Sequence, residues 1–183
     1  GMAIILPLVV IKYIKNWRKL LVLCVACILG IGIVYANVPI VSYKVHTIID
    51  VKNAANIERT LMWKSALHMA QDSPFFGVGL GNYSEAYQTK YIMPEAKEPG
   101  QGHAHNNFMQ MLGENGVIGL IGFCSMFGSC LYWSWKRREN VFAVMALVAT
   151  AGFLFHGLTE YNFGSSGSTK LFWLVFALCV KAA

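Results

Sequence analysis

The stretch VIGLIGFCSMFGSCLYWSW, Val117–Trp135, decides the fold because it is mainly apolar and carries no charged residue. A helix needs about 20 such residues to cross the roughly 30 Å hydrocarbon core of a bilayer. Leu20–Val38 and Val141–Leu158 have the same character. The apolar runs 2–11 and 171–180 are too short to cross alone, and we interpret them as partial spans. The sequence therefore predicts an all-α integral membrane protein built as a polytopic helix bundle.

The composition agrees with lipid as part of the solvent, since 56% of the residues are hydrophobic and 13% are charged. Much of the net charge of +6 lies in two clusters that flank the apolar runs, 12–19 and 136–138. Basic clusters beside spans stay in the cytoplasm and meet anionic headgroups. We therefore predict contact with membrane lipid and no nucleic-acid partner. The same rule puts residues 37–115 in a long loop that faces the periplasm or the exterior.

The first part of this external loop contains one clear helical pattern. Residues 37–56 fit either a short strand or an irregular linker. Residues 57–71 predict an amphipathic surface helix, because one face carries Arg59, Met62, Trp63, Ala66 and Ala70. On that helix Trp63 would act as an anchor at the membrane interface. Arg59 either reaches toward headgroups or binds a buried anion.

A glycine-rich stretch follows, FFGVGLGNY at 75–83. A dinucleotide site is excluded, because no hydrophobic strand precedes the glycines and no βαβ unit surrounds them. We expect positive φ angles or close backbone contacts at the glycines. Gly79, Gly81 and Asn82 would then either cradle a phosphate with free N–H groups or form a simple turn. Residues 85–102 predict an irregular loop of the kind that covers or binds a ligand.

Two histidines and two asparagines stand just before the apolar run, in His103-Ala-His105-Asn106-Asn107. Three interpretations fit this pattern. The two histidines could bind a metal with further ligands from elsewhere. His105 could act as a general base, because imidazole exchanges protons near neutral pH, with Asn106 and Asn107 orienting groups or hydrogen-bonding a sugar. His105 could also simply cap the following helix.

Three stretches occur in a distinctive order: Arg59-x-x-x-Trp-x-x-Ala-Leu, then SPFFGVGLGNY at 73–83, then HAHNNFMQMLGENGVIG at 103–119. Together they resemble the O-antigen ligase and O-antigen polymerase family. The resemblance spans about 57–123. GLTEYNF at 157–163 is similar to a later external loop of the family.

The resemblance implies an enzyme of the bacterial inner membrane with many spans and a catalytic loop that faces the periplasm. Such an enzyme transfers a glycan from an undecaprenyl pyrophosphate carrier to a hydroxyl group on a glycan, on lipid A core or on another acceptor. The expected reaction inverts the anomeric carbon and needs no metal and no cofactor. Its setting is lipopolysaccharide or surface polysaccharide biosynthesis, and the residues do not separate a ligase from a polymerase.

The resemblance also assigns roles to residues. His105 matches the catalytic histidine and is expected to be the general base, and Arg59 matches an arginine that binds the pyrophosphate. The expected supporting or substrate-binding residues are His103, Asn106, Asn107, Gly79, Gly81, Asn82 and Glu160.

Two other function classes stay open on the residues alone. A non-catalytic transporter or channel component would line a polar path with Arg59, His105, His156 and Glu160, the last two forming a pair on one helix face. A metal-dependent membrane hydrolase would use His103 and His105. Because family members are about twice as long, we expect residues 1–183 to be one membrane domain from the carboxy-terminal part of a larger protein, inactive on its own.

Overall fold

A computed structural model describes residues 17–50 and 52–183. Every regular element in these described ranges is helical, which confirms the all-α expectation. The chain divides into two compact units between Ile57 and Glu58. The predicted partial span 2–11 lies outside the described residues.

The first unit contains helix α1, Trp17–Asn37, and helix α2, Pro39–Ile49. Val38 has an extended backbone between them, and the segments Ile28–Asn37 and Pro39–Thr47 meet at an angle of 101°. The expectation of a strand or linker over 37–56 is therefore wrong. Proline at the first position of α2 explains the helix start, because its fixed φ suits the first turn and its missing N–H is not needed there.

Helices α3 to α7 account for most of the remaining chain. The helix predicted over 57–71 is confirmed, and the irregular loop predicted over 85–102 begins with two helical turns. The 171–180 run belongs to a longer helix, and the helix over 141–158 ends at His156, so His156 and Glu160 do not share a helix face. The elements are α3 Ala54–Asp72, α4 Tyr83–Ala86, a π-helical turn Tyr87–Tyr91, α5 Asn107–Lys136, α6 Val141–His156 and α7 Ser166–Ala182.

Helix α5 is longer than the apolar run that predicted it, and it is broken at Gly116, where φ is 62° and ψ is −161°. The part after the break is about 30 Å long at 1.5 Å per residue, which matches the hydrocarbon core. In the described part of the chain, α5 is the one continuous helix long and apolar enough to cross a membrane, and the bent α1–α2 pair would make a second if it is one span. Helix α6 is apolar but has 16 residues.

An aromatic core joins α5, α6 and α7. Phe127 is 1% exposed and lies at the centre of it. Its ring centroid lies 4.8 Å from that of Phe123 and 5.4 Å from those of Phe153 and Phe172. Phe163, in the connection between α6 and α7, lies 5.2 Å from Phe123. These contacts hold the α6–α7 connection against α5.

A second core forms between α3 and the segment that follows it. Met62, Ala66 and Met69 on α3 are buried against Tyr83, Tyr87 and Ala104. Trp63, expected as a membrane anchor, packs against this cluster and donates its indole N–H to the Ala104 carbonyl at 2.8 Å. Helix α3 therefore supports the histidine segment directly.

The glycine stretch is joined to α5 by backbone contact. Gly77 has a positive φ, as expected for the glycines of this stretch. Gly116 on α5 has a positive φ as well. The N–H groups of Val78 and Gly79 donate to the carbonyls of Gly113 and Glu114 at 3.0 and 2.8 Å. A Cβ on Gly116 would overlap the backbone of Phe75 and Phe76. Only glycine fits at this crossing.

Gly116→Ala should therefore lower stability by about 2–5 kcal/mol, the combined scale of a left-handed residue and of overpacking. Its melting temperature in detergent should fall clearly below that of the wild type. Gly122→Ala is the matched control on the same helix, because no atom lies within 4 Å of its added Cβ. Equal melting temperatures for the two variants would contradict the backbone crossing.

Candidate functional site

His105 and Glu160 form a close pair at the start of α5. The Nδ1 atom of His105 lies 3.0 and 3.2 Å from the two carboxylate oxygens of Glu160. A carboxylate only accepts, so Nδ1 carries the proton and donates it. The Nε2 atom then presents its lone pair. The side chains are 25% and 36% exposed, so the pair is reachable from solvent.

The backbone of His105 is left-handed, with φ at 47°. It is the one non-glycine residue in the described ranges with a positive φ. A residue held in this region costs of order 1–3 kcal/mol, and such strain concentrates at functional sites. The chain accepts the cost because the neighbours on both sides are fixed: Ala104 is bound by Trp63, and Asn106 caps α5.

Asn106 and Asn107 connect the start of α5 to the loop 157–163. The Asn106 side-chain oxygen caps the helix by accepting from the N–H groups of Phe108 and Met109. Its amide nitrogen donates to the Leu158 carbonyl at 2.9 Å. The cap is therefore Asn106 and not His105.

Asn107 completes this connection from a fully buried position. Its backbone N–H donates to the Gly157 carbonyl at 2.7 Å, and its side chain bonds to Asn162 and to the N–H of Phe163. We name the bonds from Asn106 and Asn107 to residues 157–163 the asparagine clamp. The clamp brings Glu160 to His105 across 55 positions of sequence. Both asparagines use their side chains internally.

His103 packs edge-on against His105, with ring centroids 4.2 Å apart. Burial lowers the pKa of His103, the neighbouring imidazole of His105 lowers it further, and the Glu160 carboxylate opposes this change. Burial alone would raise the pKa of Glu160. Hydrogen bonds from His105 and from the Tyr161 N–H outweigh burial and lower that pKa. Glu160 is therefore ionised at neutral pH beside a histidine.

A cavity of about 610 Å³ opens beside this pair, within the range of ordinary ligand pockets. His103 and Glu160, which both contact His105, line it together with Gly81. Gln110 and Glu114 from α5 line it as well, at 1% and 3% exposure. The cavity thus combines a histidine–carboxylate pair with buried polar groups.

The other sequence-predicted residues lie around this centre. Gly79 and Asn82 use their backbone N–H groups in internal bonds, so a phosphate cradle there has few donors left. Arg59 is half-buried on α3, one turn of about 5.4 Å before Trp63. Within the described residues its guanidinium has no hydrogen bond or ion pair.

The same cluster has the ligand types of a metal site. One ligand atom each from His103, His105 and Glu160 lies within 4.8 Å of the others. Two histidines and a glutamate are a known ligand set for catalytic zinc. The residues present therefore could hold a divalent ion.

Sequence reasoning missed three residues of this region: Gln110, Glu114 and Asn162. Gln110 and Glu114 are four positions apart on one helix face, in a mainly apolar helix, and this pattern could have marked them. Asn162 carries no comparable signal, because its bonds to Asn107 and to the Phe153 carbonyl exist only in the folded chain.

In the described ranges, an all-helical fold with one helix able to cross a membrane carries a histidine–carboxylate pair beside a cavity, an arrangement that fits a membrane enzyme. Residues 1–124 match the O-antigen ligase family, and the chain belongs to that family. No curated protein matches the chain. Membership implies a glycosyltransferase-type enzyme of the bacterial inner membrane in O-antigen and lipopolysaccharide biosynthesis. The matched region includes His105 and ends before Glu160.

Asn107→Ala should loosen the loop 157–163, because the clamp loses its side-chain bonds to Asn162 and Phe163. Hydrogen–deuterium exchange of that loop should speed up by about tenfold, the scale of one or two lost hydrogen bonds. Asn115→Ala on the same helix is the control, since the Asn115 amide makes one weak contact, 3.9 Å to the Met111 sulfur. Equal exchange in both variants would contradict the clamp.

Proposed function

We propose that this protein transfers a glycan from an undecaprenyl pyrophosphate carrier to an acceptor hydroxyl, with His105 as general base. The observation that carries the proposal is the bond from His105 Nδ1 to Glu160, which leaves Nε2 as a proton acceptor. Glu160 itself lines the neighbouring cavity, whereas His105 is not among its described lining residues. An ionised carboxylate behind the imidazole fixes its tautomer and stabilises the imidazolium that forms. The acceptor is a glycan, lipid A core or another hydroxyl compound.

The proposed reaction uses this arrangement in a single displacement step. His105 Nε2 takes the proton of the acceptor hydroxyl as its oxygen bonds to the anomeric carbon. The bond from that carbon to the pyrophosphate oxygen breaks, and undecaprenyl pyrophosphate leaves with the electron pair. Attack opposite the leaving group inverts the anomeric carbon. The step requires a base and a cation, and it needs no metal or cofactor.

Arg59 is the proposed cation for the leaving group. Its half-buried guanidinium has no carboxylate partner in the described part of the chain, so it is available for an anion. A guanidinium binds phosphate oxygens through paired hydrogen bonds. Trp63, one turn further along α3, bonds to the carbonyl of Ala104 next to His105. Because this contact holds the helix that carries Arg59 against the segment that carries His105, it supports a shared substrate for the two residues.

The proposed topology has the site on the periplasmic face and the far end of α5 in the cytoplasm. Three basic residues at that end each pack on an aromatic ring at 4.9 to 5.2 Å: Lys136 on Tyr132, Arg137 on Trp133 and Arg138 on Trp135. Aromatic and basic side chains together are typical of a cytoplasmic membrane interface. His105 precedes the same helix, before the apolar part begins.

A direct test uses alleles of the gene that encodes this chain, in a strain that lacks it. His105→Ala should abolish the surface glycan on a gel, and the transfer rate in membranes should fall by about 10²–10⁴, the usual contribution of a general base. Arg59→Ala should also lose the glycan. His68→Ala and Lys64→Ala are controls on exposed positions of α3. Normal glycan with His105→Ala, at equal protein level, would refute the proposal.

The topology predicts opposite labelling at two positions. In a variant without native cysteines, Gly100→Cys should react with a membrane-impermeant maleimide in intact spheroplasts, because Gly100 is exposed in the loop before His103. Arg137→Cys should react only after the membrane is permeabilised. Labelling of position 137 from outside would overturn the orientation.

A metal-dependent membrane hydrolase is the second candidate, favoured by the three ligand atoms of His103, His105 and Glu160 within 4.8 Å. Elemental analysis of protein purified without chelator separates the two. About one bound zinc per chain, with activity lost on chelation, would favour the hydrolase. Glycan transfer by metal-free protein would exclude the metal-dependent hydrolase.

A further inference from the structure

We propose that the cavity beside His105 and Glu160 binds a sugar ring without a negative charge, and that Gln110 and Glu114 are its recognition groups. This inference rests on the proposed function, since it names the part of the substrate that the cavity receives. It concerns residues that the family resemblance did not assign.

Gln110 is the first observation. Its side chain is 1% exposed and lines the cavity. The side-chain oxygen accepts the Ala104 N–H at 2.7 Å. Within the described residues, the amide nitrogen has no hydrogen-bond partner. This nitrogen is not sealed from solvent, so it can donate its hydrogens to a ligand in the cavity.

Glu114 is the second observation, one helical turn after Gln110. It is 3% exposed, and one of its oxygens accepts the N–H of Tyr83 at 3.2 Å. The other oxygen has no partner in the described part of the chain. Tyr161 also lines the cavity, and burial together with the charge of Glu114 raises the pKa of Tyr161 to about 12.

These two residues present one donor and one acceptor to a single ligand. A hydroxyl group both donates and accepts, so adjacent hydroxyls of a sugar satisfy Gln110 and Glu114 together. Tyr161 also lines the cavity and offers an aromatic surface to the apolar face of a ring. The volume of 610 Å³ leaves room for such a ring.

The charges of the cavity explain the preference for a sugar without negative charge. Glu114 and Glu160 line it, and no lysine or arginine is among its described lining residues. The two histidines in the lining, His103 and His156, do not form an ion pair with Glu114. A uronic acid would place a carboxylate near two others, which is unfavourable at low dielectric. The same two carboxylates disfavour the pyrophosphate in this cavity, so the pyrophosphate would bind at Arg59 instead.

The test measures binding of soluble sugars to the chain in lipid nanodiscs by saturation-transfer difference NMR. Two matched pairs are used: methyl β-glucoside with methyl β-glucuronide, and methyl α-galactoside with methyl α-galacturonide. The members of each pair differ only at carbon 6. At least one neutral glycoside should give saturation transfer, and its acidic partner should bind more weakly. No binding by either neutral glycoside, or equal binding within the pairs, would overturn the inference.

Two isosteric variants assign the effect to residues. Gln110→Glu keeps the acceptor for Ala104 and removes the donor, so neutral binding should fall about fivefold, the scale of one lost hydrogen bond. Glu114→Gln keeps the acceptor for Tyr83 and removes the charge, so the acidic glycoside should gain relative to its neutral partner. Gln71→Glu and Glu85→Gln make the same changes at exposed positions. They should alter neither the binding of the neutral glycoside nor the ratio of acidic to neutral binding. If Gln110→Glu does not fold, Glu114→Gln decides, and an unchanged acidic-to-neutral ratio refutes the assignment.

Two further arms separate this inference from the proposed function. His105→Ala should bind the neutral glycoside within about twofold of the wild type, because His105 is not a recognition group of the cavity. In the transfer assay, the neutral glycoside should raise the apparent KM for either the lipid-linked donor or the acceptor, which identifies the sugar that occupies the cavity. An unchanged KM for both would refute the inference while leaving transfer by His105 intact.

Discussion

The asparagine clamp is the constraint on which the candidate site depends. Asn106 caps α5 and binds the Leu158 carbonyl, while buried Asn107 binds Gly157, Asn162 and Phe163. A single turn of helix therefore fixes a loop that is remote in sequence. These bonds hold the loop in the position that brings the Glu160 carboxylate to the His105 imidazole. The strained backbone of His105 is the local consequence, because both its neighbours are held.

The rest of the second unit supports this arrangement from two sides. The aromatic core around Phe127 holds the α6–α7 connection against α5, and the α3 core holds Ala104 through Trp63. The crossing at Gly77 and Gly116 joins the glycine stretch to α5 and places Gly81 in the cavity wall. The site is thus built where a polar helix start, two loops and a potential membrane span meet. A lipid-linked substrate would require such a position, with its pyrophosphate at headgroup level and its sugars in water.

The helices could be predicted from the sequence because apolar runs and helical spacing are local properties. The α2 helix could not, because its β-branched residues have weak helix propensity and a proline is as compatible with a linker as with a helix start. His105, Arg59 and Glu160 were found through motifs. The contact of His105 with Glu160 and the polar groups of Gln110 and Glu114 in the cavity were not, since each depends on tertiary packing. The internal use of both asparagines also follows from packing alone.

Glu160 is expected to act on the reaction through His105, and a double-mutant cycle tests this coupling most directly. Transfer rates in membranes are compared for His105→Ala, Glu160→Gln and the double variant. Glu160→Gln should slow the wild type by at least about tenfold, because the imidazolium loses its carboxylate. The same change should have almost no effect once His105 is alanine, since residues that act as a unit are not additive. Equal losses in both backgrounds would show that Glu160 works independently of His105 and would contradict this account.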